Sequence, residues 1–274
     1  MKKITVITGG AGGMGFATAK VMGQDHHVVI CDVNQQRLNS AVADLKQLGI
    51  SCDSIVCDIT DASSVAALVK LAVELGTVTS VIHTAGISPQ MADPETILKV
   101  NALGTINITE AFYAVATAGF TQVNVASVAA HVLPGWIAPK SAFRYGISNP
   151  QAFLKKTVFR CKLMPNAFYR KGMAYSISKM FVMWYSRTSA AKFGQKNARI
   201  LSVSPGTFDT EMGRLEEKSG SMKMLENAAL KRPGTPEEIA ALLAFCASDK
   251  ASYITGTDIL CDGGVVAARS APRG

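Results

Sequence analysis

Seven short apolar runs punctuate the chain: Ile4–Thr8, Val28–Cys31, Ser54–Cys57, Ser80–His83, Gln122–Ala126, Arg199–Ser204 and Asp258–Cys261. Most are continuously apolar and do not alternate, the pattern of parallel strands covered on both faces. Between them apolar residues recur at helical spacing, as in Leu38-Ala41-Val42-Leu45 and Val65-Leu68-Val69-Ala72. Thr235-Pro236-Glu237-Glu238 reads as a helix start, with a threonine cap, proline in the first position and a glutamate three residues after the cap. Repeated strand–helix–strand units of this kind predict an α/β fold, a doubly wound parallel sheet of the Rossmann type, in one domain spanning residues 1–274. One stretch breaks the alternation. From Ala129 to Gly172 no strand is predicted, and we read 129–172 as an insertion, partly helical, with a helix starting at Ser148-Asn149-Pro150 and stopping at Pro165.

Charge sharpens that reading. The net charge of +8 lies in the insertion: Lys140, Arg144, Lys155, Lys156, Arg160, Lys162, Arg170 and Lys171 fall there with no acidic residue between them. The remainder of the chain is neutral, so diffuse nucleic-acid binding by the whole protein is not expected. No apolar run reaches the roughly 18 residues of a membrane span. The start of the chain lacks a signal peptide's apolar stretch. The six cysteines show no metal spacing. A cytoplasmic protein with free thiols and no metal is expected.

The first strand runs into Thr8-Gly9-Gly10-Ala11-Gly12-Gly13-Met14-Gly15 and then a helical pattern. Glycines there allow a tight turn and let backbone N–H groups approach a pyrophosphate at a helix N-terminus. The second strand ends at Asp32, 17 residues beyond Gly15. A carboxylate there accepts both adenosine ribose hydroxyls and repels a 2′-phosphate, which selects NAD over NADP. The nearest cation is Arg37. Further polar or glycine-rich signals follow the other strands: Asp58, His83-Thr84-Ala85-Gly86, Ser127 and Pro205-Gly206. The C-terminal ends of parallel strands form the ligand-binding edge of such a sheet, so the signals converge on one site. Tyr175 and Lys179 are four apart, which places phenol and ammonium on one helix face. A nearby cation favours phenolate, which suits tyrosine to exchange a proton with an alcohol or ketone oxygen.

These motifs resemble those of the short-chain dehydrogenase/reductase family, over nearly the whole chain from Thr8 to Gly264. Thr8, Gly9, Gly13 and Gly15 carry its TGxxxGxG pattern. The resemblance implies an adenine contact at Asp58, a match to the end of the NNAG motif at Ala85-Gly86, and a nicotinamide-holding segment at Pro205-Gly206 with Thr210. By the same likeness Met14, Val33, Cys57, Ile59, Thr84 and Thr207 complete the cofactor wall. It implies a catalytic set of Asn101, Ser127, Tyr175 and Lys179, with Tyr175 and Lys179 also touching the cofactor, and an NAD(H)-linked interconversion of a secondary alcohol and a ketone.

Two departures stand out. His83-Thr84 replaces the usual paired asparagines, and Ser127 and Tyr175 are 48 residues apart. An insertion at this point resembles bacterial 3-alpha-hydroxysteroid dehydrogenase/carbonyl reductases, which raises a hydroxysteroid or other bulky carbonyl as substrate. Family members commonly pair through the tyrosine-bearing helix, so an insert beside it implies a homodimer built by another interface. The insertion, with the segment Phe208–Leu230, is expected to wall the substrate pocket, its cations favouring anionic substrates. The histidines His26, His27, His83 and His131 are read as structural or solvated. Two alternatives stay open: a catalytically silent NAD(H) sensor, and a membrane-surface or nucleic-acid role for the insertion. In the latter, Phe153, Leu154, Val158, Phe159 and Leu163 would form an apolar stripe beside Lys155, Lys156, Arg160 and Lys162.

Overall fold

The computed structural model describes residues 2–217, 225, 226 and 228–270. Seven parallel strands form one sheet in the order β3-β2-β1-β4-β5-β6-β7: β1 Lys3–Thr8, β2 His27–Asp32, β3 Cys52–Val56, β4 Thr77–His83, β5 Thr121–Val125, β6 Arg199–Pro205 and β7 Asp258–Cys261. All seven predicted runs are strands. The strand order reverses between β1 and β4, and this is where a crevice opens at the carboxyl ends. The third strand starts two residues earlier than its apolar run, because Cys52 pairs with Val28 and the ladder continues to Asp32 with Val56.

The unbroken apolar runs follow from burial on both faces. In β2, Val29 and Cys31 enter one core cluster, and Val28 and Ile30 enter another on the opposite side. Helices α1 Gly13–Met22 and α2 Gln35–Gln47 cover the second face, with α2 burying Leu38, Ala41 and Leu45. Helix α3 Ala62–Leu75 buries Val65, Leu68 and Ala72 against the first face. Next come α4 Pro94–Leu98, a π turn at Lys99–Leu103 and α5 Gly104–Val115.

Residues 129–166 supply short helices α6 Ala129–Val132, α7 Lys140–Phe143 and α8 Tyr145–Ser148, then α9 Pro150–Lys162. Asn149 caps α9 through Ala152 N–H at 3.0 Å, the start that its Ser-Asn-Pro sequence predicts. The long α10, Ala167–Gly194, follows, then α11 Glu211–Glu217, α12 Pro236–Ala247 and α13 Val265–Ser270. The capping box of α12 forms between Thr235 and Glu238 as its sequence signals.

A third core cluster joins the 129–172 stretch to α4 and α10, with Phe143, Phe153 and Cys161 packed on Ile97, Ala174, Ile177 and Phe181. The predicted stripe of α9 splits. Phe153 is sealed, Leu154 and Val158 are half-buried, and Phe159 and Leu163 are 63% and 65% exposed. Thr157 and Cys161 complete the buried face instead.

His27 ties β2 to β3 through Ser51 Oγ at 2.6 Å and Asp53 Oδ2 at 2.8 Å, and His131 bonds Asp258 Oδ2 at 3.0 Å. The six cysteines are free thiols, five of them buried. No helix among the described residues is long and apolar enough to cross a membrane.

Candidate active site

A cleft of about 740 Å³ lies at the carboxyl ends of the strands. Its floor is the glycine turn. Gly13 sits at φ +52°, in the left-handed region, and opens α1 with no side-chain cap, which leaves the first-turn N–H groups to the cleft. A Cβ on Gly15 would come within 2.3 Å of the Gly9 carbonyl oxygen, so only glycine fits that crossing. This uncapped helix end, reached by bare backbone, fits a pyrophosphate.

Asp32 and Val33 from the end of β2 line the same cleft, with Cys57, Asp58 and Ile59 after β3, Thr84, Ala85 and Gly86 after β4, and Ser127 after β5. Tyr175 and Lys179 reach it from α10, Pro205 from the end of β6 and Gly206 and Thr210 from beyond it, together with Gly9, Gly13, Met14 and Gly15. Two expected positions stand apart. Thr207 does not line the cleft; its carbonyl accepts the Gly234 N–H at 2.9 Å, which turns the residue toward the loop before α12. Asn101 lies behind the wall.

Asn101 sits on the π turn and is buried, with Oδ1 accepting Ile87 N–H at 2.9 Å and Nδ2 donating to Ile87 O at 3.0 Å and Ser178 Oγ at 3.2 Å. Gly86 is the thin layer between this amide and the cleft. A Cβ there would lie 3.1 Å from Asn101 Oδ1 and 3.5 Å from Lys179 Nζ. The Lys179 ammonium donates to the Val125 carbonyl at 3.0 Å and stands 5.8 Å from the centre of the Tyr175 ring. Ser127 Oγ accepts from Ala129 N–H at 3.2 Å.

His83 replaces an asparagine of the family pattern, and the structure shows what it does. Nδ1 lies 2.7 Å from Thr8 Oγ1, and Nε2 lies 3.1 Å from Thr105 Oγ1. Thr105 spends its hydroxyl proton on the Asn101 carbonyl at 2.8 Å, so it accepts from Nε2–H. With Nε2 carrying the proton of a neutral ring, Nδ1 is an acceptor, and Thr8 Oγ1, which also accepts Ala85 N–H at 3.2 Å, donates to it. The ring is thus the neutral Nε2–H tautomer. Burial, with the Lys179 charge second, pushes its pKa down to about 3.

Several cleft residues belong to no sequence motif. Arg37, from the first turn of α2, lines the cleft near Asp32 and pairs with Glu211 of α11 at 3.0 Å. The sequence has no cation beside Asp32 and gives Arg37 only as the nearest; one helical turn brings its guanidinium over Gly12 of the glycine loop. Thr96, Lys99 and Val100 also line it, from a segment without a motif.

The insertion was expected to wall the pocket. Among the described residues, none from 129–172 lines this cleft, because their apolar side chains are taken up by α4 and α10. The segment from Phe208 does line it, through Phe208, Met212 and Leu215. Within the expected Phe208–Leu230 wall, residues 218–224 and 227 lie outside the described residues. No group of three or more His, Cys, Asp or Glu side chains suited to a metal occurs among the described residues.

A family model described as "short chain dehydrogenase" matches residues 3–146, and one described as "Enoyl-(Acyl carrier protein) reductase" matches 164–266. The "Short-chain dehydrogenase/reductase bsc3" of Alternaria brassicicola is 30% identical over 271 residues, covering 97% of each chain. The chain belongs to the short-chain dehydrogenase/reductase family. The "3-oxoacyl-[acyl-carrier-protein] reductase FabG" of Thermotoga maritima is 28% identical over 96% of this chain and 98% of its own. A short-chain dehydrogenase of Burkholderia cenocepacia, solved in complex with NADP, superposes with a TM-score of 0.76 at 24% identity, over 96% of this chain and 97% of its own.

As a short-chain dehydrogenase/reductase the protein is an oxidoreductase that draws on a nicotinamide cofactor, and the glycine turn and uncapped α1 described above fit that group. Helix α9 lies wholly in the stretch 147–163, between the two matched segments.

Proposed function

We propose that this short-chain dehydrogenase/reductase interconverts a secondary alcohol and a ketone with NAD(H), using Tyr175 as proton donor and acceptor. One observation carries the reading: Tyr175, Lys179 and Ser127 line the same cleft as the glycine turn, with the buried ammonium 5.8 Å from the phenol ring. In it, Ser127 holds the substrate oxygen and Tyr175 gives it a proton in reduction or takes one in oxidation. Lys179 stabilises phenolate character, and Asn101 braces the wall between them. A bound nicotinamide supplies or accepts the hydride. The preference for NAD(H) rests on Asp32, which faces the cleft while Arg37 is engaged by Glu211. Met91, Phe208, Met212 and Leu215 give the cleft an apolar lining that suits a bulky carbonyl, a ketosteroid among them. A silent sensor is not favoured, since a sensor needs no buried lysine beside a tyrosine. We read the assembly as a homodimer.

The test screens NADH oxidation against steroid, aliphatic, aryl and acyl-thioester ketones, then repeats the best substrate with Tyr175→Phe. Turnover should fall to less than about a tenth of wild type while NADH binding survives. Lys179→Met should weaken both. A Tyr175→Phe enzyme with more than about a tenth of wild-type kcat would reassign the proton to another group.

A further inference from the structure

The outer face of α9 and the first turn of α10 have no place in that reaction. Lys155, Phe159, Lys162 and Leu163 recur at four-, three- and one-residue steps, so they form one outward stripe opposite the buried Phe153, Thr157 and Cys161. Phe153 is covered and Leu154 and Val158 half-covered, but Phe159 and Leu163, the latter just past the end of α9, are 63% and 65% exposed. Past the turn at Pro165, Phe168 and Tyr169 are 56% and 55% exposed, with their rings in contact at 5.5 Å. Around them stand the eight cations of Lys140–Lys171, of which seven are exposed. None has a carboxylate within 4.0 Å among the described residues, although six lysine or arginine ion pairs form elsewhere.

We propose that this face docks on an anionic lipid bilayer. Charge selects the partner first. A second copy meeting this face through a two-fold axis would set eight cations against eight, which opposes self-pairing. An anionic surface instead gains from each cation within a Debye length. The exposed side chains select next. Phe168 and Tyr169 suit the headgroup layer, and Phe159 and Leu163 suit the acyl boundary just beneath it, while the lysine stems reach back to the headgroups. A phosphodiester backbone offers nothing to an aliphatic side chain, so a nucleic acid would leave Leu163 unsatisfied. The helix is about 20 Å long and lies along the molecular surface, so it rests on a bilayer and does not enter it.

The experiment is flotation of the full chain with vesicles of phosphatidylcholine alone or of phosphatidylcholine with phosphatidylglycerol. Partitioning to the anionic vesicles should be at least about tenfold stronger and should disappear near 0.5 M salt, roughly, as screening sets in. Lys155→Gln with Lys162→Gln should reduce it about 25-fold, given a factor of about five per cation, and separately Phe159→Ser with Leu163→Ser should reduce it about tenfold through the lost apolar contact. Far-UV circular dichroism and Tm should be unchanged, since all four side chains are exposed. The lipid and salt arms use the unaltered protein and decide the matter even if a variant folds poorly. Equal partitioning to both vesicle types overturns the proposal. So does anionic-vesicle binding that survives both double variants, release of the protein from vesicles by an oligonucleotide that binds it more tightly, or a dimer that only Phe159→Ser with Leu163→Ser dissociates while vesicles are ignored.

Discussion

His83 stands at the end of β4, 1% exposed, with both ring nitrogens engaged by threonines. Through Thr8 it reaches the Ala85 amide on the cleft wall, and through Thr105 it reaches the Asn101 carbonyl on the π turn. A neutral ring completes this chain, and a protonated one would face the Thr8 donor and the Lys179 charge. The consequence is a pH-dependent stability. Above pH 6.5 the ring is neutral in both the folded and the unfolded chain, and it adds no slope. Below that value the unfolded chain binds a proton that the fold refuses until about pH 3, so stability falls as the pH drops through this window. Between pH 6.5 and 4.5 the loss is on the order of 2–3 kcal/mol. His83→Asn keeps every other titration and should remove that increment. Urea unfolding of both proteins at pH 7 and 4.5 measures it, and parallel pH slopes would mean that His83 titrates normally. The sequence marked His83 as a departure from a motif and as structural or solvated, without its partners. Its partner Thr105 lies 22 residues away, beyond anything spacing reveals.

At the scale of elements, the strands were legible because a parallel strand covered on both faces must be apolar throughout, and Val28-Val29-Ile30-Cys31 leaves little choice. Caps were legible for a similar local reason: Thr235 and Asn149 bond N–H groups within three residues. The orientation of α9 was not legible. Its apolar residues fit two overlapping faces, and a polar residue, Thr157, occupies the centre of the one that packs. Thr157 can be buried there because its hydroxyl donates to the Phe153 carbonyl at 2.8 Å. Phe153 lies against Phe143 and Phe181, with ring centres 6.4 and 5.1 Å away. Phe153→Ala should therefore cost about 3–5 kcal/mol, and Phe159→Ala no more than roughly 0.5 kcal/mol. Denaturant unfolding compares the two, and equal losses would show that α9 is rotated about its axis from the arrangement described. The site shows the same division. Residues that follow a strand end directly, such as Asp32, Asp58 and Ser127, line the cleft as expected, whereas Arg37 arrives by the winding of α2.

At the scale of the whole molecule, the cleft gathers backbone from the ends of β1 to β6, so a ligand there ties together both halves of the sheet across the reversal in strand order. Binding to the folded state alone should raise stability by about 2.7 kcal/mol at a hundredfold excess over Kd, a Tm increase of roughly 5 °C for a chain of this size. On the proposed NAD(H) reading, Asp32 should make this increase depend on the cofactor. Setting a 2′-phosphate against its carboxylate costs on the order of 2–4 kcal/mol, so NADPH at the same concentration should raise Tm by less than about 2 °C. Arg37 acts in the opposite sense. Its side chain and that of Glu211 are 46% and 75% exposed, and so open a pair contributes little stability. Glu211→Gln releases the guanidinium toward the cleft and should increase the NADPH shift while leaving the NADH shift in place. Asp32→Asn should narrow the gap from the other side. Thermal unfolding of the three proteins with each cofactor separates these contributions. Equal NADH and NADPH shifts in the unaltered protein would mean that Asp32 does not select between them. A larger NADPH shift would mean that Arg37 already outweighs the carboxylate, and the reading of Asp32 would then give way to one built on Arg37.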